Sequence, residues 1–293
     1  MREIVWRIGD STAQREPQPT DPAAARSRLE EGNQTFTDLF SDGPDGGDSR
    51  LIQLAPEELG VSATGTALAQ EPFAAVLSCA DARVPVELLL NLRANDLFVV
   101  RVAGGVLSES ALGSLDFALG NLHTVQLTLS LGHTGCGAVN AAVQTYLDPT
   151  SYLSLSHSRP LLALVQNLLG AVRLADNALR EVHGSEVGHR PGYRDALNEL
   201  AVVANAGANA AAIAERVQQQ MGKSTRHPLT VFGVYDLVSR QVGLPGTTSG
   251  WAPGLTDAPK DTAAFQQVLA QVAFGPRLTA MLEDDRSGGD ETR

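Results

Sequence analysis

Cysteine is scarce in this chain, because the 293 residues include only two, Cys79 and Cys136. Two cysteines exclude a disulfide framework and fit a reducing compartment, where cysteine and histidine more often bind metal. The sequence also lacks any apolar run approaching the ~18 residues of a membrane span, so we expect no membrane association. Its first residues lack the apolar core of a secretion signal, which favours a cytoplasmic protein.

Positive charge is also in deficit, with 22 Lys and Arg against 33 Asp and Glu and a formal net charge of −11. No basic patch offsets this balance, so we expect no nucleic-acid partner and no anionic membrane surface as a partner. The hydrophobic content of 43% and the charged content of 19% are those of an ordinary globular protein. The length allows a sizeable core, and we expect a single domain over residues 1–293.

Short apolar strands alternate with helices through the middle of the chain. The predicted strands are 73–77, 97–101, 125–131 and 229–235. Capping residues and periodically spaced leucines predict helices between them. This alternation predicts an α/β fold with a mainly parallel central sheet flanked by helices.

Composition predicts further segments around this core. The helix expected after the Asp21-Pro22 cap forms an N-terminal helical arm. The predicted segments are an N-terminal arm at 1–20, a helical arm and acidic loop at 21–60, a core that holds both cysteines at 70–147, a helical segment at 150–220, closing strands at 229–243, a C-terminal helix at 261–282 and a frayed tail at 283–293.

Two motifs follow two of the predicted strands. Cys79-x-Asp81-x-Arg83 comes after the first strand, and His133-x-x-Cys136 comes after the third. Because the carboxyl ends of parallel strands meet at one edge of a sheet, we expect these side chains to lie together. Two thiolates and an imidazole are the three protein ligands of an open zinc site, which leaves the fourth position to water.

Each residue of the motifs also has an ordinary structural interpretation. Free cysteines are commonly buried in cores, and Asp-x-Arg is commonly a surface pair. A disulfide between Cys79 and Cys136 would leave His133, Asp81 and Arg83 unexplained. Asp81 could ligate zinc directly or accept a hydrogen bond from a zinc-bound water, while Arg83 holds its carboxylate in a forked pair. The combination favours zinc-activated water acting on a small electrophile.

Both motifs, together with Phe98-Val99-Val100-Arg101 between them, resemble the β-class carbonic anhydrases. The resemblance implies an α/β parallel-sheet domain whose helical arms clasp a partner subunit, as a homodimer or a higher even homo-oligomer. It implies a zinc lyase that hydrates carbon dioxide reversibly to bicarbonate and a proton by means of zinc-bound hydroxide. One Zn²⁺ per chain is expected.

Carried over by position, the resemblance implies that Cys79, His133 and Cys136 are the zinc ligands. It also implies that Asp81 and Arg83 form the catalytic pair that controls access to the metal.

Three more residues match the substrate site of the family. The resemblance implies that Gln70 orients the substrate, that Phe98 lines an apolar pocket and that Gly137 offers its backbone amide. Some members close the site by letting the aspartate displace water, with bicarbonate bound beside a tryptophan. Val76 stands where that tryptophan would be, which favours the open, water-bound form with Asp81 paired to Arg83.

Several positions depart from the family pattern. Ala82 replaces the usual serine, Gly104-Gly105 replaces a small residue followed by asparagine, and Phe117 replaces a frequent tyrosine. None of these is an expected ligand, but they leave the rate and the substrate open. A hydrolase of carbon disulfide or carbonyl sulfide, and a zinc-stabilised assembly protein without turnover, are therefore the alternatives.

Overall fold

A computed structural model describes residues 3–8, 17–40, 49–54, 69–155, 157–222, 226–248 and 250–284. The strands are β1 (Glu3–Ile8), β2 (Ser49–Leu54), β3 (Ala74–Ser78), β4 (Leu97–Arg101), β5 (Leu127–His133), β6 (Leu229–Tyr235), β7 (Val242–Leu244), β8 (Ala252–Pro253) and β9 (Thr256–Asp257). The helices are α1 (Pro22–Asp38), α2 (Val86–Leu89), α3 (Glu109–Asn121), α4 (Gly137–Leu147), α5 (Ser151–Leu155), α6 (Arg159–His183), α7 (Tyr193–Met221), α8 (Thr262–Phe274) and α9 (Pro276–Glu283).

The central sheet has the strand order β4-β3-β5-β6-β7-β8, and β9 also pairs with β6. The pairs among β4, β3, β5 and β6 are parallel, whereas those made by β7, β8 and β9 are antiparallel. The predicted α/β fold with a mainly parallel sheet is therefore confirmed. Strands β4 and β6 match their predicted bounds, and β3 and β5 lie one or two residues later than predicted.

Helix starts follow the predicted capping chemistry. The Asp21 side chain accepts a 2.9 Å hydrogen bond from the backbone N–H of Ala24 at the start of α1. Ser108 accepts in the same way from Ala111 at the start of α3. Each cap satisfies an N–H group that has no partner within its helix.

Two parts of the fold differ from prediction. The C-terminal segment 261–282 is two helices, because Pro276 lacks an N–H and its ring would clash inside a continuous helix, so α8 ends before it. Strands β1 and β2 pair in parallel within segments predicted as an arm and an acidic loop. The β-branched run in Glu3–Ile8 favours a strand, a signal outweighed in the prediction by the polar residues that follow. Residues 41–48 and 55–60 of the predicted helical arm and acidic loop, and residues 285–293 of the predicted frayed tail, lie outside the described residues.

The sheet is covered on both faces. Leu127, Leu129 and Leu131 of β5 are buried in the same apolar cluster as Leu29 of α1. On the opposite face, α7 approaches β5 so closely that a Cβ on Gly132 would lie 3.0 Å from Val202 Cγ1. Among the described residues, no helix has both the length and the apolar character needed to cross a bilayer.

Candidate metal centre

The two motifs meet where β3 and β5 end. Cys79 directly follows β3, His133 is the last residue of β5, and Cys136 precedes the first residue of α4. Because β3 and β5 are parallel neighbours, with Ser78 opposite Leu131, their carboxyl ends lie side by side. One sulfur from each cysteine and one ring nitrogen of His133 all lie within 4.8 Å of one another, and the three residues are buried. Both cysteines are free thiols, so the disulfide alternative is not what the structure contains.

The protonation of His133 follows from its neighbour. Its Nδ1 lies 3.0 Å from the backbone oxygen of Thr134. A carbonyl oxygen can only accept, so Nδ1 carries the proton and Nε2 keeps its lone pair. His133 Nε2 is buried and has no hydrogen-bond partner among the described residues. A buried, unpartnered imidazole nitrogen beside two thiols is a donor set that fits zinc.

The pKa values of the two thiols are shifted in opposite directions. The hydrogen bond from the Cys136 thiol outweighs the effect of burial and lowers the pKa of Cys79 to about 4. Backbone N–H groups of Gly104 and Asp81, at 3.2 Å and 3.4 Å from Cys79 Sγ, act in the same direction. The same Cys79 hydrogen bond, together with burial, raises the pKa of Cys136. Without metal the cluster therefore holds one thiolate, and a bound cation would displace the second proton.

Asp81 and Arg83 form the predicted forked pair. Arg83 Nε donates to Asp81 Oδ1 at 3.0 Å, and its Nη2 donates to Oδ2 at 2.7 Å. The side-chain bond with Arg83 holds the pKa of Asp81 well below its usual range. Asp81 Oδ2 also lies 3.8 Å from His133 Nε2, at the edge of the cluster. At neutral pH this carboxylate accepts hydrogen bonds and cannot donate them.

Arg101 contributes to the site in a way that was not predicted. Its Nε donates to the backbone oxygen of Cys79 at 3.0 Å, and its Nη2 donates to the backbone oxygen of Asp81 at 2.6 Å. Arg101 therefore clamps the chain between a candidate ligand and the candidate catalytic carboxylate. Arg101 reaches the site because the parallel register of β3 and β4 places it opposite Ser78, and the sequence alone does not give that register.

A second unpredicted group supports the turn after His133. Thr134 Oγ1 donates to Asp236 Oδ1 at 3.1 Å and accepts the N–H of Leu237 at 3.0 Å. Arg277 of α9 forms an ion pair with the same carboxylate, 3.2 Å from Oδ1. Burial raises the pKa of Asp236, but hydrogen bonds from Ser239 and the charge of Arg277 outweigh it and lower the pKa overall.

The three expected substrate residues occupy different surroundings. Gly137 is the exposed first residue of α4, next to Cys136. Phe98 is half-buried in β4, and its ring centroid lies 6.3 Å from that of Phe117. Gln70 is exposed in the segment that leads into β3. Gly137 adjoins Cys136 in the chain, and the substrate roles of all three residues stay predictions.

The family model described as carbonic anhydrase matches residues 74–238, which is more than half of the chain. The matched segment runs from the first residue of β3 to Val238 and includes every residue of the cluster. The chain therefore belongs to the β-class carbonic anhydrase family, and the resemblance is confirmed.

Curated relatives match the same region. Carbonic anhydrase 2 of Mycobacterium tuberculosis is 37% identical over 131 residues, covering 45% of this chain and 57% of that protein. Carbonic anhydrase of Mycolicibacterium smegmatis is 36% identical over 124 residues, covering 42% of this chain and 54% of that protein. The chain thus spans little more than half the length of these relatives.

Among solved structures, the β-carbonic anhydrase CafA of Aspergillus fumigatus is similar at 23% identity and a TM-score of 0.43. The alignment covers 72% of this chain and 84% of that one. The family assignment rests on the matched sequence and not on this superposition.

Proposed function

We propose that this chain is a zinc-dependent carbonic anhydrase, folded as one domain, that converts carbon dioxide and water reversibly to bicarbonate and a proton. Cys79, His133 and Cys136 would hold one Zn²⁺ per chain. The buried Nε2 of His133, which has no hydrogen-bond partner among the described residues, and the two thiols beside the ring carry this proposal. A zinc ion held there would supply Lewis-acid activation of a water molecule near neutral pH.

Asp81 and Arg83 orient the water and the substrate in this proposal. The forked pair fixes both carboxylate oxygens, and the backbone N–H of Arg83 donates to Oδ1 at 2.9 Å as a third constraint. An ionised carboxylate held in this way would accept a hydrogen bond from the reacting water and aim a lone pair of that water away from itself. Arg83 also donates to the backbone oxygen of Gly135 at 3.3 Å, which ties the pair to the loop before Cys136.

Substrate and product would lie near the start of α4. The first N–H groups of a helix have no partner within it and carry partial positive charge, so the amide of Gly137 suits the negative charge that develops in bicarbonate. Gln70 and Phe98 are proposed to orient carbon dioxide and to keep the pocket apolar, as the family resemblance implies.

We further propose that two copies of the chain associate. Within the described sheet β4 is an end strand, and its apolar residues are only half-buried. Phe117 beside it has 48% of its surface exposed. An unpaired strand edge flanked by exposed aromatic surface suits a second copy.

Light scattering of the purified chain should give a dimer or a higher even oligomer, and Phe117→Lys should shift it towards the monomer. A monomer at every concentration would contradict the proposal.

The compartment is also a proposal. Both thiols of the cluster must be reduced to bind metal, which supports a reducing compartment such as the cytoplasm.

Stopped-flow hydration of carbon dioxide, on protein whose zinc content has been measured, tests the activity. We expect hydration well above the buffer rate that scales with the zinc content. Full zinc occupancy without hydration from neutral to alkaline pH would contradict the proposal and favour an assembly protein. Parallel assays on carbonyl sulfide and carbon disulfide should give slower turnover than carbon dioxide, and the reverse order would favour the hydrolase alternative.

A further inference from the structure

The turn after β4 places one backbone amide against a candidate metal ligand. Gly104 has φ +70° and ψ 4°, and its N–H donates to Cys79 Sγ at 3.2 Å. This backbone conformation suits glycine, which adopts it without the steric cost of a Cβ. The turn is also tightly packed, since a Cβ on Gly104 would lie 3.1 Å from both Ala138 Cβ and Leu168 Cδ1.

Two asparagines of α7, four residues apart, donate hydrogen bonds to the backbone oxygens of this glycine turn. Asn205 Nδ2 donates to the backbone oxygen of Gly104 at 2.8 Å, and Asn209 Nδ2 donates to that of Gly105 at 2.9 Å. Asn205 is buried, with 9% of its surface exposed. A buried side-chain amide that donates a hydrogen bond to a loop carbonyl satisfies that carbonyl and fixes the loop in one conformation.

The two glycines whose oxygens bind these asparagines differ in the acceptor of their N–H groups. The N–H of Gly104 points at Cys79 Sγ, whereas the N–H of Gly105 donates to the backbone oxygen of Val102 at 2.8 Å. Glycine can reverse its backbone angles at little cost, so the Gly104 amide stays directed at sulfur only while the flanking peptide is held. Asn205 holds that peptide at its oxygen and the bond to Val102 holds it at its N–H, whereas Asn209 holds the next peptide.

We propose that Asn205 is a positioning residue for the metal centre, which acts by keeping the Gly104 amide hydrogen-bonded to Cys79 Sγ. Hydrogen bonds to a metal-bound thiolate reduce its electron donation and tune the metal. The proposal rests on the proposed zinc site for its effect on the metal, but the backbone geometry it describes does not require metal. It assigns a role to the long helix α7, which covers the face of the sheet beside the site.

Cobalt(II) substitution of the full-length protein tests the effect on the metal. Cobalt bound to thiolate gives a sulfur-to-metal charge-transfer band whose energy falls as the sulfur becomes a better donor. We expect Asn205→Leu to bind cobalt at the wild-type ratio with this band shifted to longer wavelength. Asn209→Leu is the matched control, since it removes the same group from the same helix face, and it should leave the band in place. Asn205→Gln keeps the amide donor, so its band should lie closer to the wild-type position than the band of Asn205→Leu.

An unshifted band in a folded, cobalt-loaded Asn205→Leu variant would overturn the proposal, as would equal shifts in both leucine variants. If Asn205→Leu does not fold, Asn205→Ala removes the amide without adding a branched side chain, and the same comparison applies.

Amide hydrogen exchange in metal-free protein separates this proposal from the zinc proposal. We expect the Gly104 amide to exchange about tenfold faster in Asn205→Leu than in wild type or Asn209→Leu, as the loss of one restraining hydrogen bond allows. An unprotected Gly104 amide in the wild-type protein would overturn the proposal without any variant. Wild-type protein that binds no cobalt but shows the expected exchange pattern would refute the zinc site and leave the role of Asn205 in the turn intact.

Discussion

Single residues around the Cys-His-Cys cluster have their protonation set by a specific partner. The Thr134 carbonyl assigns the proton of His133 to Nδ1, and Arg83 keeps Asp81 ionised. Cys79 is the thiolate of the metal-free pair because Cys136 donates to it. The three donor atoms offered to a cation are therefore defined before any metal binds.

Cys136→Ser tests the ligand set. A serine hydroxyl stays protonated near neutral pH and is a poor zinc ligand, so bound zinc should fall from about one per chain to a small fraction of that value. Metal analysis after dialysis measures the change. The chain has no third cysteine for a matched control, so circular dichroism must show that the variant is folded. Wild-type zinc content in the folded variant would rule Cys136 out as a ligand.

Asp81→Asn tests the orienting role. The amide removes the charge paired with Arg83, so kcat/KM for hydration should fall by about 10- to 100-fold while zinc content stays unchanged. The two values are measured on the same preparation. Loss of zinc together with activity would show instead that Asp81 is itself a ligand.

The sequence predicted the residues of the site better than it predicted their surroundings. Cys79, Asp81, Arg83, His133 and Cys136 lie in two short motifs after strands, and topology alone brings them together. The supporting residues could not be predicted, because each comes from an element distant in sequence whose contact depends on register or helix packing. The contacts of Arg101, Asn205 and Arg277 are of this kind.

At the scale of elements, close contacts between backbones determine how α1 packs against its neighbours. Gly32 of α1 is buried against α2, and a Cβ there would lie 1.9 Å from the backbone oxygen of Leu90. This contact was not predictable, because the spacing of apolar residues in α1 gives its buried face but not its distance from a neighbour. The strands were predictable because short apolar runs between helices specify them locally, and the break at Pro276 follows from proline chemistry.

Gly32→Ala should destabilise the protein by about 1–3 kcal/mol, because the helix must move away from a backbone atom that cannot yield. Gly170→Ala in α6 is the matched control. A Cβ at Gly170 meets no atom within 4 Å in the described part of the chain, so this change should stabilise by about 0.5–1 kcal/mol. Urea unfolding of both variants measures the difference. Equal effects would show that α1 does not pack as described.

The link between β6 and α9 should depend on pH. The folded-state pKa of Asp236 lies below its usual value, so its ionised form contributes stability above the unfolded pKa of about 3.9. That contribution is lost as pH falls below this value and through the lower folded-state pKa. In metal-free protein, urea unfolding should show Asp236→Asn to be less stable than wild type at pH 7. The difference in unfolding free energy between the two proteins should become smaller towards pH 3. A difference that stays constant with pH would contradict a lowered pKa of Asp236.

At the scale of the whole molecule, the candidate metal centre joins parts of the chain that are far apart in sequence. Cys79 directly follows the strand next to the sheet edge, while His133 and Cys136 connect the middle of the sheet to α4. A cation bound to all three stabilises only the folded state, so the melting temperature should depend on metal.

Thermal unfolding with and without a chelator tests this dependence. Free zinc at about 1,000 times its dissociation constant contributes about 4 kcal/mol, so wild-type protein should melt several degrees lower once zinc is removed. Cys136→Ser, which lacks one ligand, should melt at similar temperatures in both conditions. Identical melting of zinc-loaded and zinc-free wild type would show that the metal, where bound, is not held by the folded cluster.

The most direct measurement is X-ray absorption at the zinc edge, on protein purified under reducing conditions without added zinc. We predict about one zinc per chain, with two sulfur neighbours at about 2.3 Å and nitrogen or oxygen neighbours at about 2.0–2.1 Å. A zinc shell without sulfur, or a metal-free protein whose two cysteines are joined to each other, would contradict it.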